Sequence, residues 1–363
     1  MTNRVGHIDI AKGVSIILVA LFHSNLYYFA PNFIDSMGLF RMPLFFFLSG
    51  VFFSTVVDVR TFLWKKSDAL LKPYFATLLT LFFISVIFKE DHLTSQLKGI
   101  IYGNGDTIRW VPMWFLTHLF AVYCFTYFIF RFTGIRDKGA FYKLSVVAIL
   151  MLIGTQWVTA FWQLKIVLPG KEITLPGLPF SLDLVFISSS FFMMGAFLRK
   201  MVIDFRPNVQ ILLVSVLVFV AIQLLTDARI GLNNRIYINP LLATTGAICG
   251  IYFVMVASFY INKTIILRNI FLTFGQASLF ILIFHYSIQA MAYNYFSGLV
   301  DYDLGFWGAI SAFLISIVTP VLIMAVATRN KVLSFIYLPL KPDKHLQVDA
   351  LRCADEAQKQ GVD

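Results

Sequence analysis

The sequence predicts an all-α fold, a polytopic membrane bundle of about ten transmembrane helices with both termini cytoplasmic. Three observations carry that prediction. The 363 residues are 59% hydrophobic and only 13% charged, against roughly a quarter charged in soluble domains, and the mean hydropathy is +0.79. About ten apolar runs approach or exceed the ~20 residues needed to cross ~30 Å of hydrocarbon. The basic residues alternate sides from connector to connector, as the positive-inside rule requires.

The runs have cores at 13–30, 37–57, 73–88, 111–130, 143–161, 181–198, 208–226, 240–261, 270–296 and 306–327. The third is short and the ninth long. The first has no small-residue cleavage site and holds His23 and Ser24 inside it, so it reads as a retained span rather than a signal peptide. These runs make one transmembrane domain over residues 1–338, and 339–363 follows as a charged cytoplasmic tail, a surface helix or a disordered segment. Arg4, Lys12, Arg60, Lys65, Lys66, Lys72, Arg131, Arg136, Lys138, Lys143, Arg199, Lys200 and Arg206 fall on the cytoplasmic side by this reading. The opposite connectors hold fewer bases and acids such as Asp35, Glu90, Asp91, Asp301 and Asp303.

A net charge of +10 does not point to nucleic acid, because the bases sit in short connectors between apolar runs and not on a soluble face. The three cysteines, Cys124, Cys249 and Cys353, are scattered with no CxxC spacing, which predicts neither a zinc site nor a disulfide framework. Connector 89–110 carries the turn signal Gly103-Asn104-Gly105-Asp106. Connector 162–180 has two Pro-Gly signals around a short β-like run.

Polar residues inside the apolar runs are the chemical signal, since an ionisable group at membrane depth is a functional candidate by default. Asp9 and Lys12 stand at the cytoplasmic mouth of the first run, with His23 ~16 Å further along at 1.5 Å per residue. Arg41 lies near the start of the second run, His118 near the start of the fourth after Trp114, and His285 well into the ninth. Charge-derived orientation puts His23, Arg41, His118 and His285 in one outer depth window. Each also has a plainer reading. His118 and His285 are candidate internal hydrogen-bonders, and Arg41 is a candidate to snorkel outward or to hold Asp35.

The stretch Asp9-Ile10-Ala11-Lys12-Gly13, then Leu21-Phe22-His23-Ser24, then Phe40-Arg41-Met42-Pro43-Leu44-Phe45-Phe46-Phe47-Leu48-Ser49-Gly50 resembles the acyltransferase 3 family of integral membrane acyltransferases. Within it, the chain looks most like the fucose 4-O-acetylase-like branch of sugar O-acetyltransferases. Trp114-Phe115-Leu116 and Phe274-Gly275-Gln276-Ala277-Ser278-Leu279 with His285 also match recurring family patterns. The resemblance implies a multi-pass protein of a bacterial inner membrane, with no tightly bound cofactor and with cytoplasmic acyl-coenzyme A, acetyl-CoA in this branch, as donor. Its acceptor is a sugar hydroxyl of a surface polysaccharide or lipid-linked glycan. The family's catalytic His matches His23. Lys12 stands where the family usually has Arg, and Arg41 where the branch commonly has His.

Those residue types suit the chemistry. Acyl transfer from a thioester to a hydroxyl needs a base, which His23 can be, or a nucleophile that carries the acyl group, which His23 can also be. Arg41 is placed to stabilise an oxyanion or to bind an acidic acceptor, and Asp9 to pair with Lys12. Lys12, with Lys65, Lys66 and Lys72, is placed for the phosphates of coenzyme A. Trp114, His118, His285 and Asp35 are the candidate acceptor contacts. The sequence contains no G-x-S-x-G elbow and no metal motif. The competing reading is a transporter or flippase for a lipid-linked sugar or organic anion, with the buried His/Arg cluster as proton relay.

Overall fold

The computed structural model describes residues 5–89, 91–168, 171–299 and 305–340. The predicted tail beyond Leu340, with Cys353 in it, lies outside the described residues, as do Arg4, Glu90, Asp301 and Asp303. The chain is an all-α, multi-pass membrane protein. Among the described residues, seven helices are long and apolar enough to cross a bilayer: Pro31–Val51, Val59–Ile87, Val111–Thr133, Ala140–Ala160, Pro179–Phe197, Pro240–Ile261 and Gly305–Arg329. The pair Ile265–Gln276 and Ser278–Phe296 counts as an eighth if its 83° bend lies within one span. Gly6–Phe22 and Val209–Leu225 are shorter, at 17 residues each.

Every predicted run falls on helix, but several boundaries shift for physical reasons. The run placed at 13–30 is the helix Gly6–Phe22. Its polar first turns, with His7, Asp9 and Lys12, read as a connector by hydropathy yet are helical. The helix stops at His23, and Ser24 takes an extended backbone while its hydroxyl donates to the Leu21 carbonyl at 2.7 Å. The run placed at 37–57 begins earlier, at Pro31, and ends at Val51, with a break at Met37. The third run is not short: it starts at Val59, capped by Asp58 accepting from the Thr61 amide. It passes through a π-turn at Ser67–Leu71, where the Lys72 N–H reaches back to the Ser67 carbonyl just before Pro73, a residue that cannot donate.

Connector 89–110 is not simply a loop, since Leu93–Tyr102 is helical before the turn at Gly103. Connector 162–180 forms an antiparallel hairpin, Trp162–Leu168 with Lys171–Pro176. A second, smaller hairpin, Arg229–Gly231 with Ile236–Ile238, lies between the helices Val209–Leu225 and Pro240–Ile261.

Glycine sets the closest helix contacts, as small residues do where backbones approach inside a membrane bundle. A Cβ at Gly50 would strike the Phe192 carbonyl oxygen, and one at Gly195 the Phe47 carbonyl oxygen, so helices Gly38–Val51 and Val185–Phe197 lie backbone to backbone. Gly13 and Gly275 do the same for Gly6–Phe22 and Ile265–Gln276. The helix that ends at His23 and the one that carries Arg41 are thus each clamped by a partner helix. Leu213, Leu217, Leu224, Leu152 and Leu322 are exposed on the outer flanks, where lipid replaces water as the solvent.

Candidate functional site

Helix Gly6–Phe22 delivers His23 at its very end, as its C-cap residue. The imidazole packs against three rings: Phe22 at 5.1 Å, His285 at 5.4 Å and Tyr286 at 5.6 Å between centroids. On the facing helix, Arg41 is buried, 9% exposed, with its guanidinium 3.9 Å above the centre of the Phe22 ring. Its Nη1 has no hydrogen-bond partner. Arg41 therefore does not snorkel.

His285 is fully buried, and its Nδ1 lies 2.7 Å from the Ile281 carbonyl. A carbonyl oxygen only accepts, so Nδ1 carries the proton and Nε2 is a bare acceptor. That Nε2 has no partner. Two further bonds hold this helix in place. Trp110 Nε1 donates to the Ile283 carbonyl, and Gln289 donates to Asn25 Oδ1 at 3.2 Å, just beyond the turn that holds His23.

His23 and Arg41 line one cavity of about 180 Å³, with Phe45, Trp114 and Leu282 among its apolar walls and Asn233 and Asn234 among its polar ones. This is many times the ~10–15 Å³ of a single water site. The small hairpin around 229–238 forms one wall. It is tied down by Arg235, whose Nε donates to Asp183 Oδ2 at 2.7 Å and whose Nη2 donates to Oδ1 at 3.3 Å, both side chains fully buried. Arg235 also donates to the Asn233 carbonyl at 2.7 Å and lies 4.7 Å above the Trp162 ring. Gly105 lies under Asn233, with no room for a Cβ.

The remaining predicted site residues divide into three groups. Trp114 lines the cavity and stacks on His118 behind it, 5.5 Å apart at 27°. His118 itself has both ring nitrogens engaged, Nε2 with the Ser188 hydroxyl at 2.8 Å and Nδ1 with the Phe180 carbonyl at 3.3 Å. Asp35 lies apart from the cavity and accepts from the Tyr27 hydroxyl at 3.1 Å. At the opposite end of the two helices, Lys12 pairs with Asp9 at 3.4 Å and lies 5.3 Å over the Phe52 ring. Lys66 lies 3.6 Å over the ring of Tyr123, whose hydroxyl donates to the Ser49 carbonyl at 3.4 Å. Lys12 and Lys66 thus converge on residues 49–53. Lys72 is instead engaged by Asp68 at 2.6 Å and by the Leu338 carbonyl at 2.7 Å, and Lys65 is exposed.

Sequence reasoning missed Asn233, Arg235 and Asp183. The available signal was Asp183 itself, a carboxylate inside an apolar run, which called for a cation partner as surely as the histidines called for attention.

The arrangement has two polar ends on one pair of helices: a cationic mouth, and ~16 Å away a cavity lined by an imidazole and a guanidinium. Such a pair suits proton transfer coupled to stabilisation of an anion. No curated protein and no solved structure matches the chain. A family model described as an acyltransferase domain matches residues 5–329, nearly the whole chain and every site residue named above. The chain belongs to the acyltransferase 3 family, and is a membrane acyltransferase by that membership.

Proposed function

We propose that the protein is an O-acyltransferase, in form an O-acetyltransferase, that moves an acyl group from coenzyme A to a sugar hydroxyl of a surface polysaccharide or lipid-linked glycan. In this reading the Lys12 end faces the cytoplasm and receives the donor. Lys12 and Lys66 meet its phosphates, and the pantetheine arm carries the thioester inward toward His23. The acceptor occupies the cavity beside the 229–238 hairpin.

His23 takes the proton of the acceptor hydroxyl as that oxygen attacks the thioester carbon. The tetrahedral intermediate then loses the thiolate, which recovers the proton from the imidazolium. One C–S bond breaks and one C–O bond forms, and no redox partner is needed. Arg41 puts a fixed positive charge beside this path. His285 presents its bare Nε2 beside the His23 ring, 5.4 Å away between centroids, as an acceptor toward which His23 can turn an N–H while its other nitrogen serves the acceptor hydroxyl.

The single observation that carries this reading is the shared cavity: His23 and Arg41 line one cavity at the far end of the helices that carry Lys12 and residues 49–53. The test is transfer from labelled acetyl-CoA to glycan in membranes bearing the full-length protein. His23→Ala should lower transfer by about 10²–10⁴-fold, the usual weight of a general base. Undiminished transfer in that variant would refute the role. Single-turnover quenching separates direct transfer, with no protein-bound label, from a transient acyl-imidazole.

A further inference from the structure

Among the described residues two arginines are buried, and they are satisfied to very different degrees. Arg235, 3% exposed, meets a carboxylate through two nitrogens, plus a backbone carbonyl and the Ser181 hydroxyl at 3.4 Å. Arg41, 9% exposed, has an Nη1 with no hydrogen-bond partner, and among the described residues no carboxylate comes within ion-pair distance of it. Asp35, six residues before it in the chain, is held by Tyr27 and does not line the cavity. Among the described residues, no Asp or Glu lines that cavity. The Phe22 face under the guanidinium supplies only part of what a carboxylate would.

A buried cation without a counter-ion costs several kcal/mol, and the guanidinium fork matches carboxylate and phosphate oxygens in geometry as well as charge. The donor's phosphates do not answer this need, because their cations sit ~16 Å away along the helices. The same wall offers the side-chain amides of Asn233 and Asn234 to a sugar hydroxyl.

We propose that Arg41 binds an anionic group of the acceptor, so that the sugar modified is an acidic one bearing a carboxylate or a phosphate ester. This rests on the acyl-transfer reading of the same cavity. Arg41 receives the anion, Asn233 a ring hydroxyl, and the hydroxyl to be acylated is presented to His23. Arg41 is then a specificity residue of the acceptor site, and the acceptor supplies the counter-ion that the fold leaves out.

The experiment uses the purified full-length protein in detergent, with methyl glucuronide, methyl glucoside and glucose 1-phosphate as probes. Binding is measured without donor, and KM and kcat are measured with acetyl-CoA. The wild type should bind an anionic probe more tightly than the glucoside. Preference for the glucuronide assigns a carboxylate, and preference for the glucose phosphate assigns a phosphate ester. Arg41→Gln should weaken the preferred anion about 10–100-fold more than the glucoside, the scale of a lost hydrogen bond to a charged group. Arg41→Lys, which keeps the charge without the fork, should retain part of the preference and shows that the cavity still folds. Equal binding of all three probes by the wild type overturns the proposal. So does an Arg41→Gln variant that loses kcat equally on every probe with the binding ratios intact, which would assign Arg41 to the reaction's oxyanion. Arg41-dependent anion binding with no transfer from acetyl-CoA would uphold the anion site and sink the acyl-transfer reading. Transfer to the glucoside with an Arg41-independent KM would do the reverse.

Discussion

Asp183→Asn tests whether the cavity wall depends on one buried ion pair. In the native protein the Asp183 carboxylate accepts from Arg235 at 2.7 and 3.3 Å and from the Leu178 amide at 3.0 Å, and both charged side chains are fully buried. Asparagine keeps the size and one acceptor oxygen but removes the charge, so Arg235 becomes a buried cation without a counter-ion. Breaking such a pair from one side costs about 3–5 kcal/mol, and the retained amide oxygen places this change toward the lower end. At ~1.4 kcal/mol per tenfold, the balance between docked and undocked hairpin shifts by at least about a hundredfold. Hydrogen exchange at residues 229–238 reads that opening directly, and the melting temperature in detergent reads its share of global stability. The double variant Asp183→Asn/Arg235→Gln should recover part of the loss, because it removes the orphaned charge as well. Native-like exchange in Asp183→Asn, or a double variant no better than the additive sum, would refute the account of the hairpin as held by this pair.

Three other outcomes follow from the geometry. Gly195→Val drives a side chain into the Phe47 carbonyl, and overpacking of this kind costs about 1–3 kcal/mol or more. Thermal unfolding should show that loss with no specific change in either substrate's KM. Lys12→Ala and Lys66→Ala, at the mouth near residues 49–53, should each raise the apparent KM for acyl-coenzyme A severalfold and change the acceptor KM little. His118→Ala strands the Ser188 hydroxyl in a site with no exposure, worth about 1–3 kcal/mol. The melting temperature should fall while the acceptor KM moves less than in Arg41→Gln.

The helical membrane fold was legible because hydropathy reports burial in lipid directly, and every apolar run is mainly helical, although among the described residues only seven helices, or eight with the bent pair, are long and apolar enough to cross a bilayer. Hydropathy misjudged the ends of the first run, where His7, Asp9 and Lys12 are polar but helical, and the ninth, where a continuous apolar stretch hides an 83° bend. Depth counting brought His23, Arg41 and His285 to one place, and Trp114, named as an acceptor contact, lies on the cavity wall. It also swept in His118, because depth along a helix says nothing of which way a side chain faces. Asp35 and Lys72 were drawn in by charge alone, and their local partners Tyr27 and Asp68 take them up. Asn233 and Arg235 escaped notice because a short polar connector carries no periodicity, and only pairing Arg235 with the conspicuous Asp183 would have shown that the connector folds inward.

The glycine contacts at Gly13, Gly50, Gly195 and Gly275 leave the helices bearing His23 and Arg41 no tolerance for even one added methyl group at those crossings. The 229–238 hairpin faces the same cavity from a connector, anchored by the Asp183–Arg235 tether, the seat of Asn233 on Gly105 and the buried Ile230 and Leu232, and free of a backbone-to-backbone helix crossing. Substitutions that retune the acceptor can therefore accumulate at the exposed Asn234 while the helical frame around His23 stays fixed. New acceptor preferences should arise in that connector first, and grafting it between relatives is the shortest route to exchanging them.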